Sequence, residues 1–310
     1  MDEPRWLVIA GPTASGKSVL ALEVAERFGG EIVNADSRQV YRYLDIGTAK
    51  PTPAERARVP HHLFDVALPD ERFDAARYRD LASAAVRDAA ARGRLPVVVG
   101  GTGLYLRVLT RGLFAGPAAT PALRRRLERL DERVPGTLHR WCRRLDPSIA
   151  ERIHPNDRVR LVRALEVALI TGEPLSRHQL RHGFGERLGR LLYLVVDPGF
   201  EELRRRIRRR SCELFERGLL DEVRSLWERG YGPELAALRS IGYLEAGRVL
   251  RGERTPAAAV EDLVRSTERF AKRQRTWFRA EPDAVWLRPE ADRERLFDGL
   301  RRFLDRRPPL

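Results

Sequence analysis

The chain has 310 residues, 58 Lys and Arg against 44 Asp and Glu, a formal net charge of +14 at pH 7, and 43% apolar residues. That length suggests two domains, or one domain carrying an insertion, with enough chain to bury a core. The composition excludes a disordered chain; two cysteines, Cys142 and Cys212, exclude a disulfide scaffold; and no apolar run nears the roughly 20 residues that cross a bilayer.

Residues 6–10 (WLVIA) read as a short buried strand, and 17–28 as a helix with Val19, Leu20, Val24 and Phe28 inward, stopped by Gly29 and Gly30. The acidic start does not read as a signal peptide, so a reducing cytoplasm is expected. Further strands are expected over 31–34, 95–99, 191–196 and 284–287, with a helix over 75–92. Strands alternating with helices predict an α/β fold around a parallel sheet. Residues 121–182 show no strand pattern. Leu123, Leu127, Leu130 and Val134 recur at helical spacing, and 157–170 is a second helix, with Asn156 or Asp157 as N-cap and Gly172 near its end. The expected division is a core over 1–115 and 191–310 with an all-helical insertion over 116–190. A long helix is expected over 256–279, capped by Thr255, and a frayed tail over 305–310.

Gly11-Pro12-Thr13-Ala14-Ser15-Gly16-Lys17-Ser18 fits GxxxxGK[ST] between a strand and a helix, the context of a P-loop. Its glycines let backbone N–H groups curl around a phosphate, and the helix N-terminus adds partial positive charge. Lys17 is expected on the phosphates and Ser18 on Mg²⁺. Asp36 follows the second strand at the sheet edge where ligands bind. It reads as a general base or metal ligand, and equally as a turn or N-cap aspartate. Asp197, ending the fourth strand, has the shape of a second candidate carboxylate. Gly100-Gly101-Thr102-Gly103 faces the same crevice, with Thr102 offering a hydroxyl, or is a plain strand-end turn. His61 and His62 read as ordinary loop residues.

The positive charge points to a polyanionic partner, nucleic acid first, with solubility and genome bias as the alternative. Only three of the 58 basic residues are lysines: Lys17, Lys50 and Lys272. Lys50 sits in a loop and is as readily a plain exposed residue. Residues 204–210 hold six arginines, with Arg206 and Arg210 on one helix face. In the 256–279 helix, Arg265, Arg269, Lys272, Thr276 and Arg279 form one basic stripe, opposite Val260, Leu263, Val264, Phe270, Gln274 and Trp277.

Together, GPTASGKS at 11–18, ADSRQVY at 35–41, DIGTAKP at 45–51, GGTGLYLR at 100–107, HPNDRVRLVRALEV at 154–167, RSIGY at 239–243 and KRQRTWFR at 272–279 resemble the bacterial tRNA dimethylallyltransferase family across nearly the whole chain. The resemblance implies a P-loop NTPase-like parallel sheet flanked by helices, with a helical insertion that grips the anticodon stem-loop. The implied reaction moves the dimethylallyl group of dimethylallyl diphosphate to the exocyclic amine of the adenosine just 3′ of the anticodon. Gly11, Thr13, Ala14, Ser15, Gly16, Lys17 and Ser18 would then hold the diphosphate leaving group, with Mg²⁺. By the same resemblance Asp36 is the general base, Thr102 lies near the reacting centre and Arg210 contacts diphosphate. tRNA contacts are implied at Asp36, Ser37, Arg38, Gln39, Thr102, Arg124, Val159, Arg160, Leu161, Val162, Arg163, Arg239, Gly242, Tyr243, Lys272, Arg273, Gln274, Thr276, Trp277 and Arg279. Leu244 and Arg275 depart from the family's commoner residues. A cytoplasmic monomer without a membrane partner is implied. Rival readings are a P-loop small-molecule kinase, prenylation of free adenine nucleotides and a non-catalytic RNA-binding module; the loop would also accept the phosphates of ATP.

Overall fold

Six segments pair through their backbones: β1 (Arg5–Ala10), β2 (Gly30–Asn34), β3 (His61–His62), β4 (Leu95–Gly100), β5 (Arg190–Val196) and β6 (Ala284–Leu287). All pair in parallel, in the order β3-β2-β4-β1-β5-β6. This computed structural model describes residues 3–185 and 187–305. It divides into two units: Met1–Thr110 with Arg187–Leu310, and Arg111–Glu186. The second unit thus starts and ends a few residues earlier than the expected 116–190.

Parallel strands are buried on both faces, and alternate side chains serve opposite sides. Leu7, Ile9, Ile32, Val97, Val99, Leu194 and Val196 pack with α1 (Lys17–Arg27) through Leu20, Ala21 and Val24. Trp6, Val8 and Val98 take the other parity, and all are buried. The first unit continues with α2 (Pro53–Arg58), α3 (Ala75–Ala91) and α4 (Gly103–Arg111). Asp74 caps α3 by accepting from the N–H groups of Ala76 and Arg77. After β5 come α10 (Phe200–Glu216), α11 (Leu219–Glu228), α12 (Tyr243–Leu250), α13 (Pro256–Arg279) and α14 (Arg293–Asp305). Thr255 caps α13 through the Ala258 N–H, as expected. The expected tail falls outside the described residues beyond Asp305.

The helical unit contains α5 (Pro121–Arg133), α6 (Thr137–Leu145), α7 (Pro147–Ala150), α8 (Arg158–Thr171) and α9 (Leu175–His182), with no strand among the described residues. Its core joins Leu127, Leu138, Cys142, Ile149, Leu161, Val162 and Leu165. Asp157, rather than Asn156, caps α8, and Gly172 ends it in a left-handed conformation. One expectation is corrected in the sheet: His61 and His62 are not loop residues but a two-residue strand paired with Ile32 and Val33.

Candidate active site

The carboxyl ends of β1, β2 and β4 converge where the sheet presents three turns. The first follows β1. Gly11 has φ 151°, Ala14 64° and Gly16 91°, so the loop curls tightly. A Cβ on Gly11 would lie 2.5 Å from the Val196 carbonyl oxygen, which leaves room only for glycine. Gly16 caps α1 with no side-chain hydrogen bond, so the first N–H groups of α1 are left for an anion. Thr13 and Ala14 are half-buried, Ser15 is buried with no hydrogen-bond partner for its hydroxyl among the described residues, and Ser18 is exposed. Lys17 Nζ donates to the Pro12 carbonyl at 3.2 Å. Burial lowers the Lys17 pKa to about 8; Asp36 opposes that shift and Arg210 reinforces it.

The second turn follows β2. Asp36 Oδ1 accepts from the N–H groups of Arg38 (2.8 Å) and Gln39 (3.4 Å), while Asn34 Oδ1 accepts from the Asp36 N–H. Asp36 is therefore a turn aspartate, yet Oδ2 keeps no hydrogen bond among the described residues. The third turn follows β4. Thr102 Oγ1 accepts from the Ser37 N–H at 2.9 Å, and the Thr102 N–H donates to Ala35, which fixes the second turn against the third.

Helix α13 locks the first turn to the third. Gln274, buried, accepts from the Thr13 N–H at 2.8 Å and donates Nε2 to the Gly101 carbonyl at 2.8 Å. Helix α10 supplies two arginines from one face. Arg206 donates to the Ser15 carbonyl and Arg210 to the Thr48 carbonyl, both at 3.4 Å. Burial lowers the Arg210 pKa from its ordinary value, opposed by Asp36.

Two cavities open here. One, of about 140 Å³, is lined by Lys17, Ser18, Gln39 and Gln274. The other, of about 310 Å³, is lined by Thr102, Ile207, Leu214, Ile241 and Leu263, with Arg239 and Arg273 at its wall. Thr13, Asp36, Thr48, Arg210 and Phe270 line both. A polar chamber and a more apolar one therefore share a wall carrying one carboxylate and one guanidinium. That arrangement suits transfer between an anionic group and a second substrate.

Asp36, Ser37, Arg38, Thr102, Arg210, Arg239 and Arg273 all line the larger cavity. Gln39 turns its amide to the Thr48 and Ala49 carbonyls. Lys272, Thr276 and Arg279 are exposed on α13, as the stripe requires. Arg107 lies over the Trp277 ring at 4.2 Å. In the helical unit, Val159 and Arg160 are exposed.

The structure gives several of the side chains expected at RNA, and two other sequence candidates, internal partners. Leu161 and Val162 are core residues, so their side chains offer no surface to RNA. Tyr243 is buried and donates its hydroxyl to Glu222, and Gln274 faces the P-loop. Gly242 donates its N–H to Glu245. Arg124 and Arg163 both bind the buried Glu166 carboxylate. Lys50 is not exposed: its Nζ is shared among the Tyr41 carbonyl (2.5 Å), Asp45 (2.7 Å) and Asp65 (2.6 Å). Asp197 is held by Arg275 (2.8 Å) and the Gly199 N–H (3.0 Å), which also explains the departing Arg275. Thr48 and Phe270 were not singled out for the site from sequence. Thr48 lies inside the quoted DIGTAKP segment and Phe270 on the apolar side of the stripe helix, which were the available signals.

The chain matches the family described as IPP transferase over residues 39–281. It is similar to tRNA dimethylallyltransferase 1 of Pelobacter propionicus, 51% identical over 285 residues that span 92% of each chain. Among solved structures it is similar to the full-length tRNA isopentenylpyrophosphate transferase of Bacillus halodurans, with a TM-score of 0.70 and 35% identity over 98% of this chain and 97% of that one. It is also similar to a eukaryotic dimethylallyltransferase captured acting on tRNA, with a TM-score of 0.83 and 29% identity over 98% of this chain and 80% of that one.

Proposed function

We propose, from the premise that this chain belongs to the IPP transferase family and is a tRNA dimethylallyltransferase with a P-loop NTPase-like fold, that its donor is dimethylallyl diphosphate and its acceptor the exocyclic amine of the adenosine 3′ of the anticodon. The observation that supports this reading is Asp36 on the wall common to both cavities, with one carboxylate oxygen bound to backbone and the other accepting no hydrogen bond among the described residues. The diphosphate occupies the polar chamber, against the P-loop N–H groups, Lys17 and Arg210. The allyl group and a flipped-out base occupy the larger one.

An aromatic amine is a weak nucleophile, so the leaving group must be strongly stabilised. The allylic C–O bond breaks with its electron pair leaving on the diphosphate, the amine nitrogen forms the new C–N bond, and its proton passes to the Asp36 carboxylate. Lys17, Arg210 and the loop N–H groups take up the anionic charge as preorganised donors. Thr102, anchored by the Ser37 N–H, directs its hydroxyl hydrogen to the reacting groups.

Mg²⁺ would neutralise charge on the diphosphate. The residues fit it in one manner: the exposed Ser18 hydroxyl lines the same chamber as Lys17, while no group of three or more His, Cys, Asp or Glu able to hold a metal exists among the described residues. Mg²⁺ is commonly held by few protein oxygens together with substrate phosphates and water. On the RNA side, Arg239, Arg273 and the exposed Lys272, Thr276 and Arg279 contact the anticodon loop, and Val159 and Arg160 of the helical unit contact the stem-loop, where shape supplies much of the recognition. The protein acts as a monomer in the cytoplasm; no helix of the described residues is long and apolar enough to cross a membrane.

The test is to mix the protein with an unmodified anticodon stem-loop, Mg²⁺ and dimethylallyl diphosphate, then weigh the RNA, with Asp36→Ala in parallel and ATP plus RNA, or AMP plus donor, as controls. One five-carbon addition in wild type and its near loss in the variant are expected. Equal gain in both removes Asp36 from its role. Turnover only of ATP, or prenylation only of AMP, overturns the tRNA reading at this site.

A further inference from the structure

Glu222, on α11, pairs with no cation among the described residues. It accepts instead from three consecutive backbone N–H groups, those of Asp45 (3.1 Å), Ile46 (2.7 Å) and Gly47 (3.1 Å), and from the Tyr243 hydroxyl (2.5 Å). Converging consecutive N–H groups form an anion-binding concavity. Here the anion is supplied by the protein itself. Gly47 lies so close to Tyr243 that a Cβ would sit 2.4 Å from Cε2, so ring and carboxylate grip the same turn. Burial, followed by the nearby Glu222 charge, raises the Tyr243 pKa well above its ordinary value, which keeps the hydroxyl a donor.

The gripped turn leads directly into the site. Lys50 fixes its far end through Tyr41, Asp45 and Asp65. The Thr48 hydroxyl donates to the Leu44 carbonyl at 2.6 Å, which closes the turn on itself. The Thr48 carbonyl is then left pointing at Arg210 Nη2 (3.4 Å) and Gln39 Nε2 (3.0 Å). Thr48 and Arg210 both line both cavities. Glu222 lines neither, so its influence on the site runs through the turn.

We infer that Glu222 is a positioning residue for the transfer: by filling the concavity of residues 45–47 it sets the Thr48 carbonyl that orients Arg210 toward the leaving diphosphate. The inference rests on the assignment of the polar chamber to the diphosphate. A glutamine at 222 keeps the shape but replaces one acceptor oxygen with a donor facing N–H groups. An alanine leaves the concavity open to a small added carboxylate.

The experiment compares wild type, Glu222→Gln, Glu222→Ala and Tyr243→Phe for kcat and KM toward dimethylallyl diphosphate and RNA, with and without formate, alongside thermal melts. Loss of charge-assisted hydrogen bonds predicts a fall of about 10- to 100-fold in kcat/KM for the donor in Glu222→Gln. Formate is expected to restore part of the Glu222→Ala activity and none of the Glu222→Gln activity. Unchanged donor kinetics in Glu222→Gln, a loss confined to the KM for RNA, or a Glu222→Ala defect that formate leaves untouched would overturn the inference. Where both Glu222 variants fail to fold, Tyr243→Phe decides, because its ring still covers Gly47: a severalfold donor-side loss supports the role and wild-type kinetics overturn it. Inactive wild type overturns the underlying reading together with this one, whereas active wild type with indifferent variants overturns this one alone.

Discussion

Among the described residues of the P-loop crevice, Lys17 has a single carbonyl acceptor, one Asp36 oxygen accepts no hydrogen bond and the buried Ser15 hydroxyl has no hydrogen-bond partner. In the helical unit Glu166, fully buried, has both oxygens taken: Oε1 by the Thr120 N–H and Arg124, Oε2 by Arg124 and Arg163. Burial alone would raise the Glu166 carboxyl, but the hydrogen bonds from Arg124, Thr120 and Arg163 outweigh it and hold the pKa at about 2. One region leaves polar capacity open in a sheltered place, which costs stability unless a ligand completes it. The other closes every valence and uses charge as architecture. An arginine in a basic protein is therefore evidence for an anionic partner only after its internal partners are known.

The largest test of this contrast is Asp36→Asn, which preserves the turn acceptor and removes the carboxylate proposed as the base. We expect kcat to fall by about 10²–10⁴-fold with an unchanged melting temperature; a normal rate of prenyl addition by RNA mass would erase the contrast on the crevice side. Next is pH. In the proposed function Lys17 binds the diphosphate as an ammonium; its pKa is depressed to about 8, so charge is present below that pH and lost as pH rises through it. kcat/KM for the donor should fall by about tenfold per unit on the alkaline limb, and Lys17→Arg should move that limb out of range in the same profile.

On the closed side, Glu166→Gln should destabilise residues 111–186 by about 2–3 kcal/mol. That is below the loss from breaking a wholly buried pair, because both arginines are about a third exposed. Glu166 in the folded chain titrates at about 2 against an ordinary 4.5. Its contribution is complete above 4.5 and is lost as pH falls toward 2. Acid unfolding followed by hydrogen exchange in this unit reads both, and a variant that matches wild type would refute the cluster's structural role. The smallest effect is expected from Arg160→Ala, which should weaken RNA binding modestly and lower its salt slope by about one ion. Arg124→Ala should act first on stability. A salt titration of stem-loop binding beside a melt separates the two.

Much of the sheet was legible because buried parallel strands are continuous apolar runs: 95–99 and 191–196 could hardly be anything else. His61 and His62 escaped because a two-residue edge strand is defined by its neighbour's backbone and carries no pattern of its own. The P-loop was readable as chemistry that requires a fixed spacing. Lys50 sat in view but its role did not, since Asp45 and Asp65 reach it only after the chain folds. Glu222 carries no local signature at all: one acid on an amphipathic helix gains meaning from three N–H groups more than 170 positions away. Gln274 was assigned to the RNA side by its segment, and its hydrogen bonds turn it toward the phosphate loop.

The bond from Gln274 to the Thr13 N–H spans 261 positions. The first turn of the site is synthesised long before its clamp. A nascent chain that ends before α13 can pair β1, β2 and β4 but lacks the side chain that ties Thr13 to Gly101. Closure of that loop is thereby tied to the synthesis of α13. A fragment released early would carry the recognisable motif and lack the grip, so truncation anywhere before residue 274 should uncouple possession of the motif from possession of the site.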